Sequence, residues 1–199
     1  MPDIPTKNTP KLILASASRY KATQLKQLNI PFSRINADID ESVLEGESAE
    51  MCALRLAKGK ALAINSSQPA IVIACDQTAE VNNFILGKPG SKSKAIKQLC
   101  QCSGKTVTFH SAIAVLNTMN RELHTSVTAT HVKFRSLSKR EISSYIDKEP
   151  AFDCAGSFKM EGLGICLFES IHSDDPSALI GLPLIQTCNL LKKFNISPL

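Results

Sequence analysis

Apolar runs and alternating stretches predict where strands lie along this chain. The runs at residues 11–15 and 70–75 are almost continuously apolar, which is typical of strands that are buried on both faces. Residues 105–117 and 122–135 instead alternate between apolar and polar positions over much of their length. That period of two predicts a long antiparallel pair of strands joined at residues 118–120.

Helices are predicted from the polar residues that flank the other apolar segments. Ser18 and Ser48 are expected N-caps of helices that end near residues 28 and 64. Ser138 and Glu141 have the spacing of a capping box, so a further helix is expected to begin there. Two more helices are predicted, over residues 91–102 and between residues 183 and 194. Strands mixed with helices, including one long hairpin, favour an α/β fold with a mixed sheet.

The length of 199 residues suits one domain, and the composition is that of an ordinary globular protein. Residues 1–10 are polar and proline-rich, so we expect a flexible N-terminal tail followed by a single domain over residues 11–199. No apolar segment suggests a signal peptide or a membrane span. The seven cysteines include no Cys-x-x-Cys pair, which favours a reducing, cytoplasmic location over a disulfide framework.

The net charge of +5 is spread along the chain rather than concentrated in one segment. Such a charge is compatible with a small polyanionic substrate, whereas nucleic-acid-binding proteins more often carry a concentrated basic stripe. We therefore expect neither a nucleic acid nor a membrane as a partner.

Asp76 follows the buried run 70–75 and is the strongest single candidate for chemistry. Ligands of open α/β sheets bind outside the carboxyl ends of strands, and a carboxylate beside a buried strand is costly unless a cation meets it. Lys88 lies in Gly-Lys-Pro just beyond a hairpin predicted at Asn82-Asn83. The two side chains could hold a metal and a phosphate, although an aspartate in a simple turn is an open alternative.

Four further side chains could contribute to such a site. Ser16 and Lys21 flank a predicted strand-to-helix junction, where backbone N–H groups can bind an anion, but a plain helix cap is the open alternative. Lys60, on the second predicted helix, could equally be a surface lysine. Glu41 lies in an acidic loop and becomes important only if it joins Asp76 around a divalent cation such as Mg²⁺.

Small residues surround one acid, Glu161, in the segment 154–164. Two extended pieces are expected after the helix that begins at Ser138, with glycines at positions 156, 162 and 164. Glycine permits close approach of the backbone to a ligand, but bends of a sheet with Glu161 in solvent would fit equally well.

Short motifs occur along the chain in a specific order and spacing: Leu-Ile-Leu-Ala-Ser-x-Ser at 12–18, Arg-Leu-Ala at 55–57, Lys-Ala at 60–61, Asp-Gln at 76–77, Leu-Gly-Lys-Pro at 86–89, Ser-Gly at 103–104, Ala-Gly-Ser-Phe at 155–158 and Gly-Leu-Pro at 181–183. From residue 11 to about 194 the chain therefore resembles the Maf family of nucleoside triphosphate pyrophosphatases. The resemblance implies an elongated mixed α/β sheet flanked by helices, with two lobes around a central cleft, similar to the inosine triphosphatase fold. It also implies hydrolysis between the α- and β-phosphates with a divalent metal, Mg²⁺ or Mn²⁺, and a possible homodimer.

The same resemblance implies roles for the residues noted above. Asp76 matches the family's proposed catalytic proton acceptor and, together with Glu41, would hold the metal. The phosphates would be bound by Ser16, Lys21, Lys60 and Lys88.

Three positions resemble the branch of the family that acts on 7-methyl-GTP. Tyr20, Gln77 and Glu161 replace the arginine, threonine and glutamine of the dTTP/UTP branch, although the 7-methyl-GTP branch typically carries tryptophan at the first position. Guanine offers two N–H donors along one edge, and a carboxylate such as Glu161 can accept both, whereas a pyrimidine would leave a buried acid poorly paired. A base methylated at N7 is cationic, so the face of Tyr20 would add a cation–π contact of roughly 0.5–2 kcal/mol.

The leading hypothesis is a pyrophosphatase that hydrolyses 7-methyl-GTP to 7-methyl-GMP and pyrophosphate. The same reaction on dTTP or UTP is the first alternative. A nucleotide-binding regulator linked to septum formation is the second, and it is disfavoured because a pure binder would not need a cleft that combines an acid with lysines.

Overall fold

Seven strands form one mixed sheet in the computed structural model of this chain, which describes residues 10–199. The tail predicted at residues 1–10 lies outside the described residues except for Pro10. The strands are β1 (Lys11–Ala15), β2 (Ser33–Ile35), β3 (Ala70–Val81), β4 (Phe84–Leu86), β5 (Thr106–Asn117), β6 (Leu123–Phe134) and β7 (Phe168–Ser173). They are ordered β2-β1-β3-β5-β6-β7, and β4 pairs with β3. Strand β1 is parallel to β2 and β3, and the other pairs are antiparallel.

Five helices cover the sheet within residues 10–199: α1 (Arg19–Lys26), α2 (Ala49–Leu62), α3 (Lys92–Cys102), α4 (Lys139–Lys148) and α5 (Leu184–Lys192). The predicted caps are confirmed, since Ser18 and Ser48 each accept a backbone N–H of the first turn. Ser138 and Glu141 form the predicted capping box. Local sequence therefore determined where these helices begin.

The two predicted hairpins are also confirmed. Strands β5 and β6 pair continuously from Thr106↔Lys133 to Leu116↔Leu123. Between β3 and β4, Asn82 and Asn83 have φ values of +50° and +64°. A two-residue turn that matches the twist of its strands requires such positive values, and asparagine tolerates them.

Only one of the two extended pieces expected after α4 is found, namely β7. Two 3₁₀ segments, Ala155–Ser157 and Leu163–Leu167, occupy the place of the other. Gly156 has a φ of +77°, and a Cβ on Gly164 would lie 2.3 Å from the carbonyl oxygen of Lys159. The glycines here make tight turns rather than bends in a strand.

The prediction that Asp76 follows the end of a strand is wrong. The strand β3 continues past the apolar run, through the polar Gln77-Thr78, to Val81. Its pairing with β5 runs without interruption as far as Glu80. This long-range pairing keeps the backbone extended beyond the point where the apolar pattern ends, so Asp76 lies in the middle of the strand.

A gap interrupts the other edge of β3. Strand β1 pairs along this edge only as far as Ile73, and β4 begins its pairing at Ala79. Between them, residues 74–78 of β3 have no strand partner on that side within the described part of the chain. The carboxyl end of β1, rather than that of β3, therefore opens onto the gap, where ligands of open α/β sheets bind.

Three buried hydrophobic clusters divide the described part of the chain into two lobes. Helix α2 covers one face of the sheet, and its Ala53, Ala57 and Ala61 pack against small residues of β3 and β5. Helices α1 and α5 cover the opposite face over the first half of β3, and α3 and α4 cover that same face over the second half. This arrangement confirms the predicted mixed α/β fold with two lobes that share long strands. Among residues 10–199, no helix is both long and apolar enough to cross a bilayer.

Helix α5 depends on a cap that is distant in sequence. Its N-cap residue is Pro183, which makes no side-chain cap. Instead, Asp175 Oδ2 accepts the N–H of Ile185 at 2.8 Å, and Ser177 Oγ accepts the N–H of Leu184 at 2.7 Å. Asp175 is only 1% exposed. This buried carboxylate thus satisfies a helix N-terminus that its own local sequence leaves open.

We expect Asp175→Ala to lower the free energy of unfolding by about 2–4 kcal/mol, because it leaves buried N–H groups without a partner. Urea denaturation of the purified protein would measure the change. The neighbouring Asp174 is exposed, so Asp174→Ala is the matched control and should change the value by no more than about 0.5 kcal/mol. Equal effects of the two substitutions would contradict the proposed capping.

Candidate active site

The gap in the sheet opens into a cleft of about 710 Å³ between the two lobes. Its floor is the unpaired edge of β3, and its walls include residues 15–21, 85–88 and 153–161. The structure brings all nine predicted site residues to this cleft: Ser16, Tyr20, Lys21, Glu41, Lys60, Asp76, Gln77, Lys88 and Glu161. Their common location agrees with a single site, and their individual roles stay predictions.

Lys60 lies between two carboxylates. Its Nζ is 2.5 Å from Asp76 Oδ1 and 2.6 Å from Glu41 Oε1. Lys60 is 8% exposed and Asp76 is 9% exposed. The alternative of a surface lysine at position 60 is therefore excluded, because the ammonium is buried and paired with carboxylates on both sides.

Lys60 and Glu41 keep each other charged. Burial lowers the pKa of Lys60, but the charge and hydrogen bond of Asp76, together with Glu41, raise it above its usual value. Burial raises the pKa of Glu41, but the hydrogen bond and charge of Lys60, with smaller contributions from Lys88 and Lys21, bring it below its usual value. At neutral pH the cleft thus contains an ammonium and an ionised Glu41.

An ion pair ties the loop that carries Glu41 to helix α2. Arg55 Nε donates to Glu47 Oε1 at 2.7 Å, and Arg55 Nη2 donates to the carbonyl of Ser42 at 2.8 Å. The hydrogen bonds from Arg55 lower the pKa of Glu47 to about 2. The acidic loop is thereby fastened to the same helix that carries Lys60.

The carboxylates of Asp76 and Glu41 face a common cation position, which the Lys60 ammonium occupies. Mg²⁺ and Mn²⁺ prefer carboxylate oxygens combined with phosphate oxygens and water. Among residues 10–199, no group of three or more His, Cys, Asp or Glu side chains is placed to hold a metal ion. Lys60 pairs with Asp76 Oδ1 and Glu41 Oε1, so the second oxygen of each carboxylate remains for a divalent cation that arrives with phosphate oxygens. The two carboxylates do not make a complete protein-only site.

The junction between β1 and α1 presents polar groups to the cleft. Ser16 Oγ accepts the N–H of Ser18 at 3.2 Å, and Ser18 Oγ accepts the N–H of Lys21 at 3.4 Å. The Lys21 Nζ donates to the carbonyl of Cys75 at 2.7 Å, on the unpaired edge of β3. Ser18 therefore caps α1, and the junction also places the Lys21 ammonium in the gap.

Lys88 lies on the opposite wall of the cleft. Its side chain is 67% exposed, and its Nζ is 3.8 Å from Glu41 Oε2. An exposed ion pair of this kind contributes only about 0–1 kcal/mol. The contact is therefore too weak to keep Lys88 away from an anionic ligand.

Gln77 is held by its amide nitrogen. The Nε2 donates to Ser111 Oγ at 2.9 Å and lies 3.0 Å and 3.1 Å from the carbonyl oxygens of Ala178 and Leu179. These contacts fix the orientation of the amide, because carbonyl oxygens can only accept hydrogen bonds. The atom of Gln77 that remains for a ligand is its amide oxygen.

Two features of the residues predicted to select the base differ from expectation. Glu161 is exposed rather than buried, because residues near it turn at the rim of the cleft. Arg19 covers one face of the Tyr20 ring, with its guanidinium carbon 5.1 Å from the ring centroid, and Arg19 Nη2 donates to the Tyr20 hydroxyl at 3.1 Å. The face of Tyr20 opposite Arg19 is therefore the one left for a base.

Lys159 and Asp153 also line the cleft, although sequence reasoning did not single them out. Burial lowers the pKa of Lys159, but a hydrogen bond with Tyr20 raises it above its usual value. The only sequence signal for Lys159 was its position two residues before Glu161 in the glycine-rich segment.

Solved structures of Ham1 proteins share this fold. A HAM1 protein from Coxiella burnetii superposes with a TM-score of 0.52 at 15% sequence identity, covering 93% of this chain and 100% of that chain. The Staphylococcus aureus Ham1 protein gives a TM-score of 0.50 at 18% identity, covering 93% and 97%. At such identities the likeness concerns the fold alone, and it confirms the predicted inosine triphosphatase-like architecture.

Curated relatives match the chain over almost its whole length. The 7-methyl-GTP pyrophosphatase of Saccharophagus degradans is 51% identical over 197 residues, which covers 98% of this chain and 100% of that protein. The 7-methyl-GTP pyrophosphatase of Pseudoalteromonas atlantica is 49% identical over 186 residues, covering 94% and 96%. The family described as Maf-like protein matches residues 11–194. With the cleft, the fold and these relatives in agreement, the chain belongs to the Maf family.

Proposed function

We propose that this protein is a nucleoside triphosphate pyrophosphatase that hydrolyses 7-methyl-GTP to 7-methyl-GMP and pyrophosphate. The observation that carries the proposal is the group formed by Asp76, Lys60 and Glu41 in a cleft between two lobes. The name shared by the relatives from Saccharophagus degradans and Pseudoalteromonas atlantica supports the choice of substrate.

Asp76 would act as the general base of the reaction. It would accept a proton from the water that attacks the α-phosphorus, while the bond from that phosphorus to the bridging oxygen breaks and pyrophosphate leaves. Positioned general bases typically contribute a factor of about 10²–10⁴. Lys60 supports this role because its hydrogen bond orients the Asp76 carboxylate and offsets the cost of its burial.

The lysines around the cleft would bind the triphosphate. Lys21 is held at the floor by Cys75, and Lys88 lies exposed at the opposite wall. Cations aimed at oxygens that gain charge during bond cleavage stabilise the transition state more than the ground state. Ser16 would add a hydroxyl at the start of α1. A divalent cation bound with the substrate, held by Asp76 and Glu41, would neutralise further phosphate charge.

The base would be selected at the other end of the cleft. Glu161 can accept the two N–H groups along one edge of guanine. The open face of Tyr20 can stack on the base, and the amide oxygen of Gln77 can accept one further donor. A cationic, N7-methylated base would also be attracted by the charge of Glu161, which a neutral pyrimidine would not be.

We expect Asp76→Asn to lower kcat for 7-methyl-GTP by about 10²–10⁴-fold, because an amide cannot accept the proton. Binding of the nucleotide should persist, which calorimetry with the variant would measure. Asp147 is exposed outside the cleft, so Asp147→Asn serves as the control and should keep full activity. Wild-type turnover by Asp76→Asn would refute the assignment of the base.

A double substitution tests the choice of base. Glu161→Gln combined with Gln77→Thr should lower kcat/KM for 7-methyl-GTP by about 10–100-fold, since charge-assisted hydrogen bonds of about 1.5–3 kcal/mol are lost. The ratio of kcat/KM for dTTP and UTP to that for 7-methyl-GTP should rise. Glu169 is an exposed glutamate outside the cleft, and Glu169→Gln is the control. An unchanged substrate profile in the double variant would argue against this account of specificity.

The metal requirement is tested by chelation and by substitution of Glu41. EDTA should abolish pyrophosphate release, and either Mg²⁺ or Mn²⁺ should restore it. Glu41→Gln should raise the metal concentration for half-maximal activity by about tenfold, which corresponds to about 1.4 kcal/mol. Glu45, an exposed acid of the same loop, provides the control variant Glu45→Gln. Activity that survives EDTA would exclude the proposed metal.

A further inference from the structure

Two segments on the wall of the cleft are joined by one side chain that does not itself line the cleft. Residues 87–90 form the turn that carries Lys88, and residues 152–161 form the segment that ends at Glu161. Gln98, on helix α3, lies between them. Its Nε2 donates to the carbonyl of Gly87 at 2.8 Å, and its Oε1 accepts the hydroxyl of Ser157 at 2.5 Å.

The chemistry of the partners determines which way the amide of Gln98 points. The Gly87 carbonyl can only accept a hydrogen bond, so it must face the Nε2 of Gln98. The Ser157 hydroxyl can then donate only to the amide oxygen. Both ends of the amide are therefore used, and an isosteric apolar side chain could satisfy neither contact.

Ser157 is held in a conformation that non-glycine residues rarely adopt. It has a φ of +64° and is fully buried. Such a conformation costs of order 1–3 kcal/mol and persists only where the surrounding structure imposes it. In this conformation the hydroxyl of Ser157 donates to Gln98. A second contact, from the N–H of Gly90 to the carbonyl of Phe152 at 3.0 Å, links the same two segments.

We propose that Gln98 is a positioning residue for Lys88. By anchoring Gly87 to the buried Ser157, it holds the turn from which the exposed Lys88 side chain reaches the triphosphate. Lys88 itself has only the weak contact with Glu41 to hold its ammonium. The inference rests on the proposed function, because it assigns Lys88 to the phosphates of a bound nucleotide.

Gln98→Met tests the proposal, because it removes both hydrogen bonds with little change of volume. A nucleotide with a methylene bridge between the α- and β-phosphorus of 7-methyl-GTP measures binding without hydrolysis. We expect Gln98→Met to weaken binding of this analogue by about threefold to tenfold, the loss expected for one to two neutral hydrogen bonds. Lys97 is exposed on the same helix, and Lys97→Met should leave the affinity unchanged.

The decisive measurement repeats Gln98→Met in a Lys88→Met background. If Gln98 acts through Lys88, the second substitution should change the affinity by less than twofold there, since residues that act as one unit are not additive. A threefold to tenfold loss that persists without Lys88 would overturn the proposal, as would unchanged affinity of the single variant. If Gln98→Met fails to fold, Ser157→Ala, which removes only the hydroxyl, takes its place in both backgrounds with the same expectations.

The failure of the proposed function gives a different result. Wild-type protein that binds the methylene analogue but releases no pyrophosphate from 7-methyl-GTP would refute the proposed activity. The effect of Gln98→Met with and without Lys88 could still be measured from the affinity for the methylene analogue. A wild-type protein that hydrolyses 7-methyl-GTP, with additive effects at the two positions, would refute only the role of Gln98.

Discussion

The buried ammonium of Lys60, shared by Asp76 and Glu41, is the interaction on which the site depends. Each of these charges would be costly to remove from water alone. Together they offset that cost, because the ammonium lies within 2.6 Å of an oxygen of each acid. This group of three side chains also connects three separate parts of the chain: helix α2, the middle of β3 and the acidic loop. Removal of Lys60 would leave the two acids facing each other without a cation between them.

The geometry of the sheet makes room for this group. A continuous neighbour along both edges of β3 would have closed the gap, yet β1 is five residues long and β3 is twelve. Strand β4 resumes the pairing only at Ala79. The gap between them exposes backbone groups of β3, one of which holds Lys21. At the same time, β5 pairs with the opposite edge and keeps the strand extended through the gap.

Packing on the two faces positions the walls of the cleft. Alanines on α2 allow this helix to approach the sheet closely, so that Lys60 reaches a carboxylate on β3. The ion pair between Arg55 and Glu47 then holds the acidic loop against α2. On the other lobe, glycines and the buried Ser157 fold residues 155–167 into turns rather than strand. The rim of the cleft thus depends on the backbone conformations of residues 155–167. The floor depends on the pairing of β3 with β5.

The sequence by itself determined the helix starts, the two hairpins, the fold class and the identity of nine residues that meet in one cleft. These features rest on local chemistry, such as serine caps and alternating strands, or on motifs whose spacing identifies a family. Only the tertiary structure decided that Asp76 lies inside a strand, that Glu161 is exposed and that Arg19 covers one face of Tyr20. It also decided that Lys60 is buried between acids rather than solvated. Each of these facts depends on partners that are distant in sequence, and a local pattern of polar and apolar residues carries no information about which distant groups will meet.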